Sequence, residues 1–386
     1  MPLFIRPDYL PFGRPNFTEE EIDAVARVMR SGWVGMGPET MAFEKDLAAY
    51  LGAAEVVTVS SCTAALHLSL LVSGVRPGDE VICPSLTWCS TANAVLYAGA
   101  RPVFCDVDSS HFCATPAAIC ARLTPRTKAV IVVHFGGYAA DVDAVRSALP
   151  DGIAVIEDAA HALGSHLPSG ARIGSSGRPT CFSFYANKNL STAEGGAIAL
   201  ADPIAAARLR SLRQHALPID AWKRFTHAGT LLLSPDLTEL GYKMNYTDLQ
   251  AAIGRVQLRR LPALQEQRAA IGAIYAARLG GFAERWTPQA GLAEGGHARH
   301  LYCIALQPGH LPRPRSELLT ALRERNIGAT VHYAPLHQMP LYQQQEEDLP
   351  VTCELAARLL TLPISASMSV ADAEYVMDHL CELTSR

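Results

Sequence analysis

The sequence predicts an α/β protein: a large domain with a mostly parallel sheet between helices, plus a smaller C-terminal α+β domain. Three observations lead there. A chain of 386 residues exceeds the size at which a single core usually stops growing. Unbroken Val/Ile/Phe runs alternate with helical stretches through the first half, the pattern of strands buried on both faces. From Thr247 onward that alternation gives way to one long helical pattern and then to a mixture of short strands and helices. We place the division at 1–255 and 256–386.

Taken in order, Thr18 and Glu21 form a capping-box pattern before IDAVARVM, where Ile22, Val25, Val28 and Met29 recur at helical spacing. That helix is predicted to run to Ser31 and stop at Gly32. Then come VVTVSS and TAALHLSLLVSG, EVICPS and TANAVLYAG, PVFCDV and a helix, AVIVVHF and DVDAVRSAL, IAVIED, and TCFSFY. Each pair reads as strand then helix. The stretch DLQAAIGRVQLRRLPALQEQRAAIGAIYAARL follows as a long helix in which Pro262 predicts a kink or break, because proline lacks the N–H and crowds the preceding turn. After about Gly280, LYCIAL and SELLTALRERN supply a strand and a helix of the smaller domain.

Composition excludes several function classes. Hydrophobic residues at 49% and charged residues at 18% fit an ordinary globular protein, and no uncharged apolar run is long enough to span a bilayer. With a formal net charge of -4 and no block of like charge, the chain has no electrostatic footprint for nucleic acid. A small-molecule partner is expected. The ten cysteines include no C-x-x-C pair, so they read as reduced packing residues, and no metal site is expected. MPLFIRPDYLPFGRP has charge and proline where a secretory signal needs an apolar core, so the expected location is cytoplasmic and the sequons at Asn16, Asn189 and Asn245 carry no sugar.

Sheets of this kind bind ligands at the carboxyl ends of their strands, and the polar residues stand there. Ser60, Ser61 and Thr63 follow one predicted strand, Trp88 the next; Asp158 follows IAVIE and Lys188 lies just past FSFY. An acid and an amine at neighbouring strand ends face one pocket. They suit pyridoxal 5'-phosphate (PLP), which needs a lysine for its Schiff base and an acid against its pyridinium nitrogen. Its phosphate needs N–H groups at a helix N-terminus, which Ser61, Cys62 and Thr63 supply in SSCTAALHL, and its ring needs a stacking partner, which Trp88 supplies. No P-loop, dinucleotide fingerprint, G-x-S-x-G or H-E-x-x-H competes.

Seven ordered segments, SGWVGMGPETMAFE, SSCTAALHL, PSLTWCSTANAV, IEDAAHALGS, FSFYANKNLSTAEGGAI, GYKMNYTDLQAAIG and IGATVHYAPLH, carry a resemblance over nearly the whole chain. The chain resembles the DegT-type nucleotide-sugar aminotransferases, a branch of the fold type I PLP enzymes with an aspartate-aminotransferase-like large domain. The resemblance supplies the cofactor where the residues alone give a pocketed lysine and acid. It implies that Lys188 holds the cofactor and shuttles the proton, that Asp158 pairs with the ring nitrogen, and that His161 lies near the phenolate oxygen. Trp88 would stack on the ring, and Ser183 with Ser61, Cys62 and Thr63 would cradle the phosphate. Asn245 would reach the phosphate from the neighbouring subunit, implying a homodimer with shared active sites, and His332 would face the substrate.

Two positions depart from the family's commonest pattern: Cys62 stands where many members have Gly, and Asn245 where many have Arg. Cys62 reads as a packing thiol whose backbone N–H does the binding. Lys188 itself argues against the family's sugar dehydratases, in which histidine replaces it. The implied reaction is ping-pong transfer of an amino group from L-glutamate to a keto group of a nucleotide-linked deoxysugar. LPFGRP, PSLTW and HALPIDAWKRF are most similar to the family members that aminate C4 of a 4-keto-6-deoxyhexose or 4-keto-pentose, so the resemblance implies C4. The alternatives are a C3-keto sugar acceptor, or a PLP-binding regulatory or sensor protein without turnover.

Overall fold

The computed structural model describes residues 3–217, 237–307, 309–310, 312–343 and 348–385. Two helices come first, α1 (Glu19–Ser31) and α2 (Pro38–Leu51). Glu21 Oε2 accepts the Thr18 N–H and hydroxyl at 2.7 Å each, and Gly32 ends the helix at φ 77°, a conformation that favours glycine. The predicted first helix is therefore correct at both ends. Helix α2, absent from the sequence reading, begins at a proline whose missing N–H is harmless in a first turn.

Alternation follows: β1 (Glu55–Val59), α3 (Cys62–Val72), β2 (Glu80–Pro84), α4 (Cys89–Tyr97), β3 (Arg101–Cys105), α5 (Pro116–Cys120), β4 (Thr127–Val133) and α6 (Val142–Ala148). It continues with β5 (Ala154–Asp158), β6 (Thr180–Ser183), β7 (Gly196–Leu200) and α7 (Pro203–Leu212). The seven strands form one sheet in the order β1-β7-β6-β5-β4-β2-β3. Neighbours from β6 through β3 pair in parallel, and β7 alone runs antiparallel to both its neighbours. The sheet is mostly parallel, as the apolar runs predict. Val81 and Ile131 pack into one apolar cluster while Ile82, Val130 and Val132 pack into another, so the sheet has a core on each face.

Helix α8 (Asp248–Leu279) then runs for 32 residues straight through Pro262. The predicted break is not found. Leu258, Leu261 and Leu264 are buried around the proline, and that packing offsets the roughly 3 kcal/mol a proline costs inside a helix. Thr247 caps the start, exchanging hydrogen bonds with Gln250. The helix packs on α1 and α2 early in its course and on the last helix later.

The remainder comprises β8 (Trp286–Pro288), β9 (Tyr302–Leu306), α9 (Arg315–Glu324), α10 (Pro350–Arg358), β10 (Leu359–Leu362) and α11 (Val370–Thr384). A small antiparallel sheet, β10-β9-β8, packs with α9 and α11 around its own core, as the α+β expectation requires. Leu10 joins that core and bridges Ile327, tying the start of the chain to its C-terminal part.

Candidate active site

Five segments converge at the carboxyl end of the large sheet. β1 gives way to α3 at Ser61, whose Oγ accepts the Ala64 N–H at 3.1 Å and caps the helix. This turn lies so close to β7 that a Cβ on Gly196 would stand 2.5 Å from the Ser61 carbonyl carbon and 2.7 Å from the Cys62 nitrogen. Only glycine fits there, which gives the second residue of the AEGG pair its purpose. Trp88 precedes α4, Asp158 ends β5, Ser183 ends β6, and Lys188 sits in the turn between β6 and β7 with its N–H donated to the Tyr185 carbonyl at 2.9 Å.

These residues surround a cavity of about 510 Å³, a volume suited to a small molecule. Every sequence-predicted site residue except Asn245 lines it. Asn245 lies outside that lining, with its Nδ2 donating to the Tyr246 carbonyl at 3.1 Å.

Asp158 is buried, and burial raises its carboxyl above the ordinary value. The Thr91 hydroxyl donates to Oδ2 at 2.8 Å and the Ala160 N–H to Oδ1 at 3.2 Å, both opposing that rise, as does the charge of Lys188. Burial also draws the Lys188 amine down to about 8; the Asp158 carboxylate pushes it upward and Arg268 pushes it further down. An amine titrating there can both hold and release a proton near neutrality. Cys62 Sγ lies 4.0 Å from Asp158 Oδ1, and burial, then that carboxylate, hold the thiol well above its usual range. It stays protonated, in keeping with a packing role.

His161 is fixed from both sides. Its Nδ1 accepts the Gly136 N–H at 3.3 Å, which leaves the proton on Nε2, 3.2 Å from the Tyr333 hydroxyl. Burial, then the charge of Lys188, keeps the ring neutral. His332 contacts the Thr361 hydroxyl through Nδ1 at 2.9 Å, and burial draws it down to about 3. Trp88 is 59% exposed at the cavity mouth, its ring 5.7 Å from that of Tyr333.

Sequence reasoning missed Thr91, Tyr333 and His300. Thr91 stands one turn into α4 after the quoted PSLTW, so counting forward from Trp88 would have found it. Tyr333 adjoins His332 in the HY pair. His300, whose Nε2 is 3.3 Å from Lys188 Nζ, sits just before β9 and 112 positions from the lysine, with no local signal.

A half-buried lysine and a buried, doubly hydrogen-bonded carboxylate facing one cavity, beside a helix N-terminus, fit a PLP enzyme. The chain belongs to the DegT/DnrJ/EryC1/StrS aminotransferase family, whose model matches residues 15–381, and it is a PLP-dependent sugar aminotransferase. Spore coat polysaccharide biosynthesis protein SpsC of Bacillus subtilis (strain 168) is 42% identical over 379 residues, covering 97% of this chain and 96% of that protein. Among solved structures, the aminotransferase TlmJ from Streptoalloteichus hindustanus is 34% identical with a TM-score of 0.86, covering 96% of this chain and 98% of that one. Spr1654 from Streptococcus pneumoniae, solved in its PMP-form, is 30% identical with a TM-score of 0.89, over 97% and 99% of the two chains.

The residues present fit the cofactor. The first-turn N–H groups of α3, with the Ser61, Thr63 and Ser183 hydroxyls, are donors for a phosphate dianion. Asp158 offers a buried acceptor for a ring N–H, and Lys188 the amine that holds the aldehyde carbon.

Proposed function

We propose that this protein moves an amino group from L-glutamate to the C4 keto carbon of a nucleotide-linked deoxysugar, in two half-reactions that share one cavity. The observation that carries the reading is the Lys188 amine, drawn by desolvation to about 8, lining the same cavity as Asp158. Bound there, PLP supplies an electron sink for the carbon from which a proton is removed. The chain's own side chains do the rest. Lys188 takes that proton as the neutral amine and returns it as the ammonium. Asp158, whose charged form the Thr91 hydroxyl and the Ala160 N–H favour against burial, would hold a proton on the ring nitrogen. Ser61, Cys62, Thr63 and Ser183 bind the phosphate, the Cys62 contribution being its backbone N–H. With the cofactor bound, Trp88 would cover the ring face, and His161, whose Nε2 proton is directed at Tyr333, would lie beside the phenolate oxygen.

His332 faces the sugar substrate. Asn245, outside this chain's own cavity, is assigned to the phosphate of a partner's site, so the working unit is a homodimer in the cytoplasm. The large domain is taken as 1–255 and the small one as 256–386. The C4 assignment rests on LPFGRP, PSLTW and HALPIDAWKRF; the last spans residues 215–225, of which 218–225 lie outside the described residues. A sugar acceptor is supported by the spore coat polysaccharide role in the name of SpsC.

The test is the absorbance spectrum of the purified protein before and after L-glutamate, with Lys188→Ala beside it, followed by a panel of 4-keto and 3-keto nucleotide sugars. Glutamate should convert the pyridoxal band to the pyridoxamine band in wild type only, and a 4-keto sugar should restore it. Restoration by a 3-keto sugar alone would move the acceptor carbon to C3. A band that no amino donor changes would favour a binding or sensor protein.

A further inference from the structure

Beside Lys188, and outside the set of residues assigned above, stands a buried imidazole whose protonation is fixed by a chain of hydrogen bonds. Asn189 Nδ2 donates to the Ala298 carbonyl at 2.7 Å. That contact orients the amide, so Asn189 Oδ1 is the atom facing His300 Nδ1 at 3.2 Å. An amide oxygen only accepts, so Nδ1 carries the ring proton. In the neutral ring the lone pair then lies on Nε2, and Nε2 is 3.3 Å from Lys188 Nζ.

The ring is neutral on independent grounds. His300 is 4% exposed, and burial, then the charges of Lys188 and Arg268, hold it well below its ordinary value. His161 lies against it, ring centroids 4.6 Å apart. Arg268, buried and drawn to about 10, donates to the Arg299 and Ile364 carbonyls and adds positive charge nearby.

We propose that His300 is the positioning residue for Lys188: whenever the ε-amine is free, the Nε2 lone pair receives one of its N–H groups and holds it at the cavity wall. This deepens the reading of Lys188 as the reacting amine and rests on it. An acceptor of this kind favours the ammonium over the amine. It therefore opposes the burial that draws Lys188 down. The other groups facing the amine are the Cys62 thiol from α3, Asp158 from β5, Arg268 from α8 and the neutral rings of His161 and His332, and all five remain when His300 is replaced.

The test reads Lys188 directly. The full chain, free of cofactor, is labelled with acetic anhydride from about pH 6 to about pH 11, a range that brackets both a depressed and an ordinary lysine. Acetylation of the Lys188 peptide is measured by mass spectrometry, with PLP-loaded protein in parallel. Wild type should show a midpoint at about 8. His300→Leu should lower it by about one pH unit, the effect of losing one hydrogen bond to a charged group. His300→Gln, whose Oε1 also accepts, should restore most of the loss. An unfolded variant would move the opposite way, toward the ordinary lysine value of about 10.4.

If His300→Leu does not fold, Asn189→Leu takes its place, because it frees the imidazole to put its proton on Nε2; the midpoint should fall there too. A natively folded His300→Leu or Asn189→Leu with an unchanged or raised midpoint overturns the proposal. The loaded protein separates the two failures: Lys188 labelled as readily with PLP as without it would overturn the reading of Lys188 itself.

Discussion

Thr91 and Asp158 are 67 positions apart and are joined by a 2.8 Å hydrogen bond from the threonine hydroxyl to the carboxylate Oδ2. The Thr87 hydroxyl lies 2.9 Å from that of Thr91, so two hydroxyls from the start of α4 stand behind the acid at the end of β5. Burial alone favours the neutral carboxyl, and Thr91 is the strongest influence opposing it. Thr91→Val should therefore leave the fold intact and weaken PLP binding about tenfold, in line with one lost hydrogen bond to a charged group. Fluorescence titration of the cofactor-free protein measures this, and unchanged affinity would remove Thr91 from the site.

Capture of the cofactor requires the neutral form of Lys188, whose titration lies at about 8. The rate of PLP loading should rise about tenfold per pH unit below that value and level off above it. Stopped-flow absorbance follows the reaction. A rate still climbing at the ordinary lysine value of about 10.4 would show that burial does not depress the amine.

Gly196 touches backbone rather than side chain, so its neighbours cannot turn aside. Gly196→Ala should push α3 away from β7, destabilise the protein by about 1–3 kcal/mol and abolish tight binding of the phosphate. Thermal melting with and without inorganic phosphate separates the two effects. Full retention of both would mean that the turn relaxes without consequence.

Glu80 gives an acid-stability prediction remote from the site. Burial would raise its carboxyl, but the Thr124 hydroxyl at 2.6 Å and Arg101 and Arg126 at 2.7 Å outweigh it and hold it at about 2. Because the folded value lies below the unfolded 4.5, the stabilisation is complete above 4.5 and is lost as pH falls toward 2. Urea midpoints across that window should fall less steeply in Glu80→Gln than in wild type.

The large sheet was legible because a strand covered on both faces must be apolar throughout, and β2 is buried at all five positions. The strand ends were legible for the same reason: Asp158 closes the apolar run of β5, and Lys188 follows a few residues after that of β6. What stayed hidden has a physical cause in each case. β7 is a short apolar segment that begins at the second of two glycines, and it is inserted between β6 and β1, whose first residue is 141 positions earlier than Gly196. No break follows Pro262, because propensity is local while the packing of α8 is not. Thr91 and His300 meet their partners only through tertiary contacts spanning 67 and 112 positions, which no local pattern encodes.

The uninterrupted course of α8 makes its residue count a matter of phase. At a rise of 1.5 Å per residue, its 32 residues extend about 48 Å, from the cap at Thr247 past Arg268 to Leu279. Inserting or deleting one residue would rotate everything downstream by about 100° about the helix axis. Arg268 would then swing away from the Arg299 and Ile364 carbonyls it now bridges. The helix thus works as an indexing shaft, and among chains that share this architecture its length should tolerate change far less than its surface composition does.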